Sequence, residues 1–224
     1  MKQHVDVFFH SQQPYTYVQD EDLAQYPSGR LDFPNRYFDP VRAHQLYNQY
    51  HEQYAWADEV GLDGIMTNEH HASYWNMKPS ANLDAAVLSK VTRKARLAIL
   101  GNILPICDPV RMAEELAMLD CYSGGRLSPA LCAGGAVETL QAGLDPTENR
   151  ARFEEAHDLI LKCWTTPGPF RWEGRYYPHR VVNPWVLPMQ QPHPPIWFPG
   201  GSSPESVVWA ARHRYTYISR ARKV

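Results

Sequence analysis

Apolar positions run in two alternating rhythms along this chain. Short continuous apolar runs read as strands, and apolar residues spaced by three and four read as helix faces. Val5–His10 (VDVFFH) predicts a first strand. Residues 42–60 set Leu46, Tyr50, Tyr54, Ala57 and Val60 on one helix face, with Gly61 as the stop. Asp63–His70 (DGIMTNEH) predicts a second strand, and residues 83–95 a helix turning Leu83, Ala86, Val87 and Val91 inward. Leu97–Ile106 (LAILGNILPI) is the third and most apolar strand. Asp108-Pro109 pairs an N-cap with a first-turn proline; Met112, Leu116 and Leu119 carry that helix inward until Gly124-Gly125 end it. Arg126–Gly134 is a poorer fourth strand, because Pro129 lacks the N–H of a central ladder. Residues 147–164 form an amphipathic helix through Phe153, Ala156, Ile160 and Leu161. Pro195–Pro199 then predicts a fifth strand, residues 204–213 a helix, and Tyr215–Ile218 a sixth strand.

Strands this apolar, alternating with helices, predict a parallel sheet covered by helices. Six units fit an open doubly wound sheet or part of a barrel, and periodicity does not separate the two. Ten of the nineteen prolines lie between Pro167 and Pro204, so residues 165–195 read as an inserted excursion within one domain spanning 1–224.

Composition narrows the partners. A net charge of -2 leaves no footprint for nucleic acid or an anionic membrane. No apolar run approaches the ~20 residues of a membrane helix, and residues 1–10 lack a signal-peptide core. The four cysteines (Cys107, Cys121, Cys132, Cys163) show no C-x-x-C spacing. A reduced, cytoplasmic protein is the expectation.

Parallel α/β proteins place their sites at the carboxyl ends of the strands. Here those ends are polar or small: His10-Ser11-Gln12, Asn68-Glu69-His70-His71, Asn102, Cys132-Ala133-Gly134-Gly135 and Gly200-Gly201-Ser202-Ser203. His70 can move a proton near neutral pH, or can simply cap a strand. A metal held by Glu69, His70 and His71 is a weaker reading, since strand neighbours face opposite sides. Gly201, Ser202 and Ser203 before Pro204 suit a phosphate at a helix start, or an ordinary N-cap. Cys132 is either a mouth thiol or an inert small apolar residue.

Several stretches resemble the luciferase-like monooxygenase family: Asn68–His71 (NEHH), Asp108–Arg111 (DPVR), Ser123–Leu127 (SGGRL), Asn149–His157 (NRARFEEAH) and the long run Asn183–His213. The resemblance extends from the first strand to about Ile218. It implies a (β/α)8 TIM barrel, of which about six strand–helix units are present. It also implies a monooxygenase in which reduced FMN and O2 oxygenate a small organic substrate, with an NAD(P)H-flavin reductase supplying the flavin. By position it assigns His70 to the active site, Cys132 to the flavin's reactive edge, Asn102 to the ring, and Gly201, Ser202 and Ser203 to the phosphate. A deazaflavin-dependent oxidoreductase, a non-catalytic remnant and a metal-dependent barrel hydrolase are the alternatives, and a homo-oligomer is left open.

Two departures from the family pattern stand out. Ala133 occupies the place of an arginine that would meet the phosphate, and Pro129-Ala130 occupy the fourth strand. Ser219–Val224 (SRARKV) is basic where an apolar strand and helix would continue, so the expectation is a barrel cut short after its sixth strand, with two open edges.

Overall fold

The computed structural model describes residues 5–201 and 203–219. Strand β1 (Phe8–His10) leads through a long loop holding α1 (Asp20–Leu23) to α2 (Pro40–Glu59) and β2 (Gly64–Asn68). Next come α3 (Ala81–Val91), β3 (Arg96–Ile103), α4 (Pro109–Ser123) and β4 (Leu127–Cys132). Helices α5 (Ala136–Gln141) and α6 (Asn149–Thr165) precede an antiparallel hairpin of β5 (Phe170–Trp172) and β6 (His179–Val182). The described order closes with β7 (Trp197–Pro199), α7 (Pro204–His213) and β8 (Thr216–Ile218). The main sheet runs β1-β2-β3-β4-β7-β8, and every neighbouring pair is parallel. It curls: the Phe8 ring on β1 meets the Trp197 ring on β7 edge-on at 5.3 Å, although three strands lie between them. The result is a half-barrel of six strands, an incomplete (β/α)8 arrangement.

Local chemistry starts and stops the helices, as the sequence predicts for α4, while α2 starts two residues earlier than the predicted 42. The Asp39 carboxylate accepts from the N–H groups of Val41 and Arg42 ahead of Pro40, and Asp108 accepts from that of Arg111 ahead of Pro109. Gly124 ends α4 at φ 68°, a conformation that glycine adopts without strain. The core lies between the outer sheet face and its helices. Leu97, Ile99, Leu127 and Leu131 pack there with Leu88, Leu116, Phe153 and Ile160. Each such side chain contributes about 1.5–3 kcal/mol on burial.

Several expectations change in detail. The helix predicted over 83–95 stops at Val91, because the Asp58 carboxylate accepts from the N–H groups of Arg93, Lys94 and Ala95 and holds them as a turn. Its buried face is Ala81, Ala85 and Leu88 with Asn82 and Asp84, so Leu83, Val87 and Val91 face outward. Pro129 does sit in a central strand. It is tolerated where pairing is thin, since β4 and β7 share the single register pair Ala130↔Trp197. The proline-rich excursion contains the β5–β6 hairpin, and the third strand gives way at Pro105 to a 3-10 turn over Leu104–Ile106.

Strand β3 carries one extra residue. Leu100 pairs with Ala130 and Asn102 with Leu131, so Gly101 bulges between them at φ 97°. Beyond the bulge, Asn102 shares the side of Leu131, which faces the helices.

Candidate active site

The parallel strands end on one rim, and His70 stands just past the end of β2. Its Nδ1 lies 3.1 Å from Glu138 Oε1 at the start of α5. Arg30, from the β1–α2 loop, donates to the same oxygen at 2.6 Å and to the His71 carbonyl at 3.0 Å. The Trp75 ring packs on His70 at 4.6 Å and lies 5.6 Å under the Arg30 guanidinium. Burial works against charge on Glu138, but the hydrogen bonds from His70 and Arg30 outweigh it and hold its pKa down at about 2. An ionised Glu138 can only accept, so the His70 proton resides on Nδ1 and Nε2 is the basic nitrogen. His71 turns the other way, with Nε2 3.2 Å from Glu69 Oε1. The two histidines therefore face separate carboxylates; the second strand ends at Asn68, two residues before the predicted His70, so both histidines stand in the loop that follows it.

A buried polar floor supports this rim. The exposed Gln12 covers it: its side-chain Oε1 accepts from the amides of Asn68 (2.8 Å) and Asn76 (2.9 Å), and Asn76 also donates to Asn68 at 2.9 Å. Lys78 is 2% exposed and donates to the Ser11 carbonyl at 2.6 Å. Burial pushes its ammonium pKa down to about 8. Asp84 on α3 accepts from Thr67 and Gln13 and lies 3.0 Å from His51 Nε2. His10 ends β1 over this floor; its Nε2 is buried without a partner among the described residues, and burial lowers its pKa.

The residues assigned to a cofactor lie at the carboxyl ends of β3, β4 and β7, but Asn102 faces the helices and not the hollow where a flavin ring would lie. Asn102 is fully buried and donates to Asn82 at 2.7 Å, while its carbonyl oxygen has no partner among the described residues. Cys132 ends β4 as a half-buried residue, and burial pushes its thiol up to about 12. A side chain on Gly101 would stand 2.8 Å from the Cys132 sulfur, so only glycine fits beside it. After β7 the backbone at Gly201 is open, and an added Cβ there would meet nothing within 4 Å. The Ser203 hydroxyl accepts from the Ser206 N–H at 3.3 Å, capping α7. Ser202 lies outside the described residues, as does the basic tail from Arg220 to Val224. Ala133 packs half-buried against the core.

Two clefts flank His70 and His71. One, of about 310 Å³, is lined by His70 and several aromatic rings of the β1–α2 and β2–α3 loops. The other, of about 340 Å³, is polar and is lined by Glu69, His71, Asn82, Cys107, Arg111 and Glu115. Glu138, Arg30 and Lys78 are the site residues that sequence reasoning missed. Only their side-chain chemistry was visible there, because each reaches its partner from a distant segment.

The sequence profile of the luciferase-like monooxygenases matches residues 33–223. The chain belongs to that family. The oxygenase component of the flavin-dependent trigonelline monooxygenase of Acinetobacter baylyi is 31% identical over 156 residues, covering 68% of this chain and 43% of that protein. Among solved structures, the monooxygenase RslO1 of Streptomyces bottropensis superposes with a TM-score of 0.76 at 24% identity, covering 94% of this chain and 58% of RslO1. The oxygenating constituent of the 3,6-diketocamphane monooxygenase of Pseudomonas putida, solved with FMN, gives 0.70 at 24% identity over 79% of this chain and 52% of its own. These likenesses show the fold. The chain spans less than half the length of the curated relatives it matches.

Proposed function

We propose that this chain carries the reaction rim of an FMN-dependent monooxygenase. The observation that carries the reading is His70, fixed by an ionised Glu138 at the mouth of a ring-lined cleft on the half-barrel of this family. Bound reduced flavin would supply the electrons and activate O2 to oxygenate a small organic substrate. Around it, the residues of this chain have separable tasks. The open backbone at Gly201 and the N-terminus of α7, with Ser203 and Ser202, fit a phosphate. Cys132 holds the rim beside the ring as a neutral thiol, and Asn102 braces β3 through Asn82. His70 holds or moves a proton at Nε2, with the Trp75 ring packed against its imidazole. A separate NAD(P)H-flavin reductase would supply the reduced flavin. The cysteines are free thiols, which agrees with a cytoplasmic setting.

The test is a titration of the chain with FMN and with riboflavin, followed by addition of reduced FMN in air. FMN should bind about tenfold more tightly than riboflavin. His70→Ala should leave that affinity within a few-fold and slow oxygenation by ~10²–10⁴. Uptake of a deazaflavin in place of FMN would turn the reading toward a dehydrogenase or reductase. Uptake of neither would end it.

A further inference from the structure

The cleft beside His70 is walled by rings: Tyr15, Phe33, Tyr37, Phe38, Tyr47 and Tyr74. Phe33 stacks on Tyr37 at 4.9 Å and 11°, and meets Tyr74 at 5.5 Å and 59°. Tyr15 meets Phe38 at 5.3 Å. Several hydroxyls are tied back. Tyr47 donates to the Met77 carbonyl, Tyr15 accepts from the Asp39 N–H at 2.9 Å, and Tyr37 accepts from Arg36 at 3.1 Å. The walls are therefore preorganised, so a ligand does not have to order them on binding.

Among the described residues lining this cleft, none is Asp, Glu, Lys or Arg. The cations nearby are already placed over ring faces, Arg36 over Tyr37 at 5.0 Å and Arg42 over Tyr17 at 4.6 Å. Besides His70 Nε2, the lining offers the Ser73 hydroxyl, which is buried with no partner among the described residues. It follows Ala72, held at φ 48°, a left-handed conformation that is unfavourable for a residue with a side chain. The strained turn thus sets an unsatisfied hydroxyl beside His70.

We propose that this cleft is a substrate site for an uncharged, planar aromatic compound of one or two rings carrying a hydrogen-bonding substituent. That the bound compound is a substrate rests on the oxygenase reading above; that the cleft binds it does not. Flat π-faces complement the walls. A volume of about 310 Å³ suits a small ligand. A cation would meet the like charge of Arg36, already 5.0 Å over the Tyr37 ring, and an alkyl chain would leave the Ser73 hydroxyl unpaired.

The experiment titrates the 224-residue chain, without flavin, with 2-naphthol, its saturated counterpart 2-decalol, and the N-methylquinolinium cation. 2-Naphthol should bind at least about tenfold more tightly than either. Phe33→Leu and Tyr74→Leu keep an apolar filling and should each weaken it about fivefold, while Tyr74→Phe stays within about twofold. Ser73→Ala should weaken 2-naphthol but not naphthalene. Equal affinity for 2-decalol, preference for the cation, or no binding of 2-naphthol overturns the proposal, as do leucine variants that melt like the parent and bind as it does. The ligand panel on the unaltered chain decides the matter if the leucine variants do not fold. Ring binding without FMN uptake would keep the cleft and sink the oxygenase reading; FMN uptake without ring binding would sink the ligand class alone.

Discussion

One carboxylate oxygen, Oε1 of Glu138, faces Nδ1 of His70 at 3.1 Å and takes the Arg30 guanidinium at 2.6 Å. The pair fixes which imidazole nitrogen carries the proton. Glu138→Gln keeps the shape and removes the charge, so Nδ1–H loses its preferred acceptor. Nitrogen-15 spectra of the parent should show His70 as the Nδ1–H tautomer, and the variant should show a mixture. An unchanged tautomer would mean that Glu138 is not what orients this ring.

The same carboxylate makes stability depend on acid. Its folded pKa, about 2, lies below the ordinary glutamate value of 4.5. The unfolded chain therefore takes up the proton first. The contribution is fully present above about 4.5 and is lost as pH falls toward 2. Urea melts should show the parent losing stability over that window more steeply than Glu138→Gln. Parallel curves would remove Glu138 from the acid response.

Phosphate recognition should carry a salt signature. FMN affinity should fall with ionic strength while riboflavin affinity stays flat, since the charge alone distinguishes the two. Ser203→Ala should also cost about 1 kcal/mol of stability through the lost cap of α7. Equal salt dependence for the two flavins would exclude a phosphate at this helix.

Gly101 is a position where any side chain should do harm. Gly101→Ala combines φ 97° with a contact of 2.8 Å to the Cys132 sulfur. A loss of about 1–3 kcal/mol is expected. Cys132→Ala in that background should recover part of it, because the contact goes and the backbone strain stays. A full recovery in denaturant melts would show that the torsion is harmless.

The sheet ends in β1 and β8 among the described strands, and both edges are short. Val5 and Val7 beside β1 are 76% and 53% exposed. Such edges pair with other chains. The 224-residue chain should associate as its concentration rises, and Ile218→Lys should reduce that association in sedimentation runs. A monodisperse parent at high concentration would show that these edges are guarded.

Much of this architecture was legible in the residues. Each strand of the half-barrel announced itself as an apolar run, and Asp108-Pro109 with Gly124 marked both ends of α4 because capping is local chemistry. The outward stripe Leu83, Val87 and Val91 was misread, since polar Asn82 and Asp84 are buried by partners on β3 and β2 that periodicity does not encode. The hairpin over Phe170–Val182 hid in a proline-rich stretch. His70 was legible as chemistry, but Glu138 lies 68 residues away and Arg30 reaches it across 108, so their meeting belongs to the fold alone.

The bulge at Gly101 acts as a switch in the grammar of β3. Below it, odd-numbered Leu97 and Ile99 look to the helices; above it, even-numbered Asn102 does. A single inserted residue thus lets one strand change parity where plain core ends and reactive rim begins. Deleting Gly101 would not merely shorten the strand. It would set Leu100 and Asn102 side by side opposite Ala130 and Leu131, keeping every later side chain on its present face while removing the bend that the bulge gives the strand where it enters the rim.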